Sequence, residues 1–299
     1  MNNIEQQDIE QWVEKAPDSS QKEFRQAIHT ILAAISSDPK LNASMVLKGG
    51  ILLAIRYASD RFTKDIDLST DQKLSSDFTL DIIVDTLNNS LALTVEELDY
   101  SLDCRVQSAK KDPKDEDATF PSIKLRIGYA YKGTPKHKRL LNLSSSTAIS
   151  IDYSLNESIP NVEEITISSS TEDRNLLAYS LSDLIAEKYR SLLQQESRNR
   201  ERRQDIYDII LVEEQVGEFS SAEKLKIMCS LITKCRARGI EPDDSSIDSA
   251  ELKKRAQAQY HTLADEIPGD LPDFDQLFAK AQKLYKSLPW ELKDNITQA

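Results

Sequence analysis

Two amphipathic stretches open the chain. Ile9, Trp12 and Val13 form one apolar stripe, and Phe24, Ala27, Ile28, Ile31 and Leu32 form a second at the 3.6-residue spacing of a helix. The pattern predicts helix over residues 9–35 with a break at Pro17, and Asp18-Ser19-Ser20 ahead of Glu23 supplies the chemistry of a helix start. Met45, Val46 and Leu47 make a short apolar run that Gly49-Gly50 interrupts, and helix resumes with Ile51, Leu52, Leu53, Ala54 and Ile55. Asp65-Ile66-Asp67-Leu68 alternates as a half-buried strand does. Residues 79–89 read as helix with Leu80, Ile83, Val84 and Leu87 on one face, and residues 91–95 and 100–106 read as strands. Ile123, Leu125, Ile127 and Tyr129 share one face of a strand over residues 122–131, and the charged, turn-rich residues 111–119 are the hairpin loop before it. Residues 148–153 and 165–168 are two further strands. After Ser182, read as an N-cap with Asp183 favourable to the helix dipole, the period is helical to the C-terminus. Its breaks fall at Ser220 and at residues 239–244 and 268–272. The expected fold class is α/β (α+β): N-terminal helices plus a mixed-sheet core over residues 1–181, then an all-helical domain over residues 182–299.

Composition narrows the function classes. A chain of 299 residues has room for one large domain or two ordinary ones, and 39% hydrophobic with 29% charged residues describes a globular protein. No run of eighteen apolar residues exists and the N-terminus lacks the pattern of a signal peptide, so the expectation is a cytoplasmic protein without a membrane span. Cys104, Cys229 and Cys235 lack metal-ligand spacing and read as reduced thiols. His29, His137 and His261 are scattered, which leaves zinc chemistry and a Ser-His-Asp arrangement without support. A net charge of −12 argues against bulk nucleic-acid binding. Basic residues nevertheless concentrate at 110–138, 188–203 and 224–238, which permits a local polyanion site.

The chemistry concentrates around Lys48-Gly49-Gly50 and Asp65-Ile66-Asp67. The chain holds only 7 glycines, so an adjacent pair between a strand and a helix points to a close backbone approach, as where helix-start N–H groups meet phosphate. Residues two apart on a strand share a face, so Asp65 and Asp67 point the same way and repel unless a cation sits between them. Mg²⁺ suits that setting because it takes carboxylate and phosphate oxygens. Asp152 falls on the face opposite Ile149, Ile151 and Tyr153 and offers a third acid for a two-metal site. Lys188 could reach triphosphate oxygens as a point charge, and Asp205 and Asp208 lie on one face of a following helix. Taken alone, this last segment also fits a solvated, salt-bridged helix pair.

In order and spacing, Leu47-Lys48-Gly49-Gly50, Arg61-Phe62-Thr63-Lys64-Asp65-Ile66-Asp67, Glu187-Lys188 and Arg203-Gln204-Asp205-Ile206-Tyr207-Asp208 resemble the AbiEii/AbiGii family. These are nucleotidyltransferase-like toxins of bacterial abortive-infection (phage defence) and toxin–antitoxin systems. The resemblance implies a polymerase-β-like nucleotidyltransferase core, Mg²⁺ or Mn²⁺, a nucleoside triphosphate, an RNA acceptor such as the 3′ end of tRNA, and a cognate antitoxin. It places Gly49 and Gly50 in the phosphate loop with Lys48 beside them, Asp65 and Asp67 as the metal-binding pair, and Asp152 as the third metal acid. It makes Lys188 and Asp205 the lysine and acid of the third and fourth motifs, while Arg61 and Thr63 touch phosphate or fix the acidic strand. The wider superfamily carries Gly-Ser where this chain has Gly49-Gly50, so a hydroxyl is missing there. The alternatives are a small-molecule (antibiotic-type) nucleotidyltransferase and a non-catalytic nucleotide-binding toxin component.

Overall fold

Side-chain caps set the starts of the first helices: Asp8 accepts from the Glu10 amide ahead of α1 (Ile9–Glu14), and Asp18 from the Gln21 amide ahead of α2 (Ser19–Ser37). The structure, a computed structural model, describes residues 8–115, 117–168 and 173–296. After α3 (Pro39–Ser44) come β1 (Val46–Lys48), α4 (Gly49–Arg56), β2 (Asp65–Ser69) and α5 (Leu80–Glu97). Next come β3 (Leu102–Asp112), β4 (Ser122–Tyr131), α6 (Pro135–Leu141), β5 (Ala148–Ser154), β6 (Val162–Ser168) and β7 (Asp173–Tyr179). The elements described after β7 are all helical: α7 (Leu181–Leu193), α8 (Asp205–Val216), α9 (Ser221–Arg236), α10 (Ala250–Gln257), α11 (Phe274–Lys286) and short 3₁₀ turns.

The strands form one mixed seven-stranded sheet in the order β3-β4-β5-β2-β1-β7-β6. Parallel pairing joins β2 to β5 and β1 to β7, and the remaining neighbours are antiparallel. Leu47, Ile66 and Leu68 in the middle of the sheet, and Ile28, Ile31 and Leu32 on α2, are fully buried. α2 packs against α5 and strands β3, β6 and β7, while α4 lies on β1 and β2. α7 follows β7 directly and packs on α8 and α9.

The expected mixed sheet and the switch to helices are present, with four local differences. Residues 91–95, expected as a strand, continue α5, because Leu87, Leu91, Thr94 and Val95 extend one buried helical face. The helix after β7 is capped by Ser180, whose Oγ accepts from the Asp183 amide, and not by Ser182. α3, α6 and β7 are additional to the elements expected from the pattern. β3 runs on to Asp112, which leaves a shorter hairpin loop.

Candidate active site

Four strands place four charged residues on a single row of the sheet. Lys124 on β4 is in register with Asp152 on β5, Asp152 with Asp67 on β2, and Asp67 with Lys48 on β1. Directly paired residues of neighbouring strands present their side chains on one face, with strands about 4.8 Å apart. The row therefore reads Lys-Asp-Asp-Lys, with Asp65 two residues from Asp67 on the same face. Burial first, and then the Asp65 and Asp152 charges, push the Asp67 carboxyl up to about 6, against the pull of Lys48 and Lys188. Lys124 is ion-paired with Asp152 Oδ2, whereas the buried Asp152 Oδ1 has no hydrogen-bond partner among the described residues. Lys48 donates to Ser154 Oγ at 3.1 Å and lies 5.9 Å from the centre of the Tyr179 ring.

The glycine turn is built against this row. Gly49 has a φ of +75°, and a Cβ added to it would overlap the Asp67 carboxylate. A Cβ at Gly50 would stand 2.9 Å from Thr63 Oγ1. A serine side chain at position 50 would crowd Thr63, and the hydroxyl beside the turn is that of Thr63. Thr63 Oγ1 donates to Asp65 at 2.8 Å, so Thr63 steadies the acidic strand.

Lys188 and Arg61 meet at one carboxylate. Lys188 Nζ is 2.7 Å from Asp208 Oδ2 and 3.3 Å from Asp205 Oδ1. Arg61 clasps Asp208 with Nε at 2.8 Å and a terminal nitrogen at 3.0 Å, and reaches Glu266 at 3.2 Å. Burial alone would raise the Asp208 carboxyl, but Lys188 and Arg61 hold it below the usual range. Burial likewise opposes the Lys188 charge, yet Asp208 and Asp205 keep that ammonium protonated above its ordinary range. Asp205 Oδ2 is buried and unpartnered among the described residues. Glu266 also accepts from Arg203 at 2.5 Å, and its carbonyl from the Phe62 amide at 2.6 Å. Arg61 therefore fixes the segment leading into β2 and is committed to carboxylates. Near Lys48, Glu187 pairs with Arg190; burial would raise its carboxyl, but Arg190, Lys234 and Lys48 hold it well below the usual range.

All ten residues singled out from the sequence line one cavity of about 790 Å³: Lys48, Gly49, Gly50, Arg61, Thr63, Asp65, Asp67, Asp152, Lys188 and Asp205. Lys124, Asp208 and Glu266 join them there without having been assigned a role from the sequence. Asp208 is legible as the second acid of its motif, and Lys124 as a polar position between Ile123 and Leu125. Glu266 carries no local signal. Arg198, Arg200 and Arg202, on the connection between α7 and α8, also line the cavity, and their side chains make no ion pair among the described residues. A second groove of about 580 Å³ shares Phe120, Arg198 and Arg238 with the first, and Arg238 stacks 3.4 Å above the Phe120 ring.

Among the described residues no three His, Cys, Asp or Glu side chains are gathered closely enough to cage a cation. Asp65 and Asp67 together still fit Mg²⁺ or Mn²⁺, which bind through one or two carboxylates when substrate phosphates complete the shell. Burial first, and then the Asp65 charge, raise the Asp67 carboxyl, and a cation beside both acids would offset the cost of holding them ionised.

A glycine turn against paired strand acids, on a mixed sheet backed by helices, defines the class: the protein is a nucleotidyltransferase. The model of the nucleotidyl transferase AbiEii toxin family, of type IV toxin–antitoxin systems, matches residues 30–280, and the chain belongs to that family. Its fold is similar to the crystal structure of JHP933 from Helicobacter pylori, with a TM-score of 0.50 and 13% identity over 93% of this chain and 95% of that one. MenT4, a nucleotidyltransferase toxin from Mycobacterium tuberculosis H37Rv, has a TM-score of 0.46 and 12% identity over 94% of this chain and 98% of its own. No curated protein gives a match. Among the described residues no helix is long and apolar enough to cross a membrane.

Proposed function

We propose that this toxin transfers a nucleotide from a nucleoside triphosphate to the 3′-hydroxyl of an RNA, with the 3′ end of tRNA as the acceptor class and a divalent cation required. The observation that carries the reading is the Lys-Asp-Asp-Lys row against the Gly49 turn, inside a cavity whose lining includes Arg198, Arg200 and Arg202.

The Gly49 and Gly50 amides and the Lys48 ammonium take the β- and γ-phosphates. Lys188, held by Asp205 and Asp208, adds positive charge to the cavity. Asp65 and Asp67 would hold the Mg²⁺ or Mn²⁺, which would supply Lewis-acid stabilisation of the transferring phosphoryl group. The acceptor 3′-oxygen bonds to the α-phosphorus, the bond to the bridging oxygen breaks and pyrophosphate leaves. The hydroxyl proton passes to the Asp152 carboxylate, whose charge Lys124 steadies. The contribution of the protein is positioning and charge complementarity, as is general for phosphoryl chemistry.

The second groove supports an extended acceptor rather than a compact one. The arginine-rich connection between α7 and α8, with Arg198 shared by both cavities, offers phosphate contacts along such an acceptor. Substrates of this class fit a cytoplasmic reaction, and membership of a type IV toxin–antitoxin family supports a cognate antitoxin as partner. The test is incubation of the chain with each labelled nucleoside triphosphate and Mg²⁺, together with total cellular RNA or a panel of small hydroxylated acceptors. Label in RNA that depends on Asp67 is the expected result; label in the small acceptors alone would move the reading to the antibiotic-type class. Expression of the chain without its antitoxin is expected to arrest growth, and Asp67→Asn is expected to relieve the arrest.

A further inference from the structure

We infer that Lys124 is a tethered cation that takes the place of a second metal ion, so that this chain works with one divalent ion per active site. The inference rests on the metal-dependent reading above and deepens it. Two-metal sites need carboxylates free to hold a second ion a few ångströms from the first. In this row the third carboxylate is engaged by a side chain of the protein itself: Lys124 is the in-register neighbour of Asp152 on β4 and pairs with its Oδ2. That leaves Asp65 and Asp67 to hold metal, and accords with the lack of a three-ligand cluster among the described residues.

The pairing is built into the sheet. β4 and β5 are joined in unbroken register from Ser122↔Ser154 to Gly128↔Ala148, so the Lys124 and Asp152 side chains leave the sheet as direct neighbours on one face. Ile123 and Leu125 on either side of Lys124 are buried, which fixes the lysine on the cavity face. Both Lys124 and Asp152 line the cavity. The row is electrically symmetrical: Lys48 neighbours Asp67 at one end and Lys124 neighbours Asp152 at the other. Two lysines against two aspartates leave Asp65 as the remaining negative charge of the cluster, enough with substrate phosphates for one divalent ion. A second ion at Asp152 would stand beside the Lys124 ammonium and be repelled by it.

An ordinary cross-strand ion pair would leave metal stoichiometry untouched, so the number of bound ions is the readout. Mn²⁺ uptake by the full chain is followed by the spin-resonance signal of free Mn²⁺, with one equivalent of an α,β-methylene nucleoside triphosphate. The wild type is expected to take up one ion per chain. Lys124→Met, similar in length and neutral, takes up two, with the affinity for the second raised at least about tenfold. Lys124→Arg restores one. Lys124→Gln provides a second neutral variant should the Met variant fail to fold. Two ions in the wild type, or one ion in a folded neutral variant, would overturn the role of Lys124. Asp67→Asn separates this from the reading beneath it: uptake equal to the wild type in that variant, or no uptake in the wild type, would remove the metal site itself.

Discussion

Asp67→Asn is expected to make the metal-free protein more stable while abolishing transfer. The Asp67 carboxyl is raised from 3.8 to about 6, chiefly by burial and by the Asp65 charge. A raised acid binds protons more readily in the folded than in the unfolded chain. Wild-type stability therefore falls as pH rises from 3.8 to about 6 and stays at the lower level above that window. A displacement of that size corresponds to roughly 3 kcal/mol at neutral pH. The asparagine amide must find hydrogen bonds in place of solvent, which brings the expected net gain to about 1–2 kcal/mol. Urea unfolding in EDTA at about pH 7.5 should show this gain, and it should disappear near pH 3.5, where both chains carry a neutral group. Mg²⁺ with a non-hydrolysable nucleotide should then stabilise the wild type and leave the variant unchanged. A variant equal to or less stable than the wild type in EDTA at neutral pH would refute the claim that the fold holds the Asp67 carboxylate charged at a cost, first in burial and then beside Asp65.

Gly50→Ser, which restores the residue common at this turn elsewhere, should impair transfer because its Cβ meets Thr63, and Thr63→Ala in the same chain should recover part of the loss; steady-state incorporation of labelled nucleotide reads both. Gly49→Ala should reduce activity more severely, since its φ of +75° disfavours alanine and its Cβ displaces the Asp67 carboxylate, with the circular dichroism spectrum retained. Asp208→Asn should destabilise the fold by about 3 kcal/mol, because it leaves Lys188 and Arg61 buried with weakened partners; denaturant midpoints measure this. Replacing Arg198, Arg200 and Arg202 together by alanine should lower the salt-dependence slope of RNA binding by roughly 2 and leave nucleoside triphosphate affinity unchanged. Fluorescence anisotropy at several salt concentrations resolves the two affinities.

Where local pattern and final packing agree, the structure is legible in the sequence. The stripe on α2, the alternation on β4 and β5 and the acids on β2 all follow from side chains that must choose a core or a solvent face. Residues 91–95 mislead because a short apolar run rich in Leu, Thr and Val suits either structure, and only the stripe continuing from Leu87 decides for helix. α6 does carry a local signal: Thr134 accepts from the His137 amide, and Pro135 stands at the first helical turn. β7 is set by its neighbours in the sheet, antiparallel β6 on one side and parallel β1 on the other.

By itself the sequence determined which residues are the candidates for the chemistry: a glycine turn, three strand acids, and a lysine with its acid on later helices. Their types and spacings are local properties, set by strand alternation and helix-start geometry. The tertiary structure decided what those groups do to one another. Strand order put Lys124, Asp152, Asp67 and Lys48 on one row, although they come from four separate segments. Tertiary packing decided between the two roles open to Arg61, a phosphate contact or a brace of the acidic strand, by clamping it on Asp208 and Glu266. Electrostatic energy depends on distance through space and on burial, and the order of residues along the chain encodes neither directly.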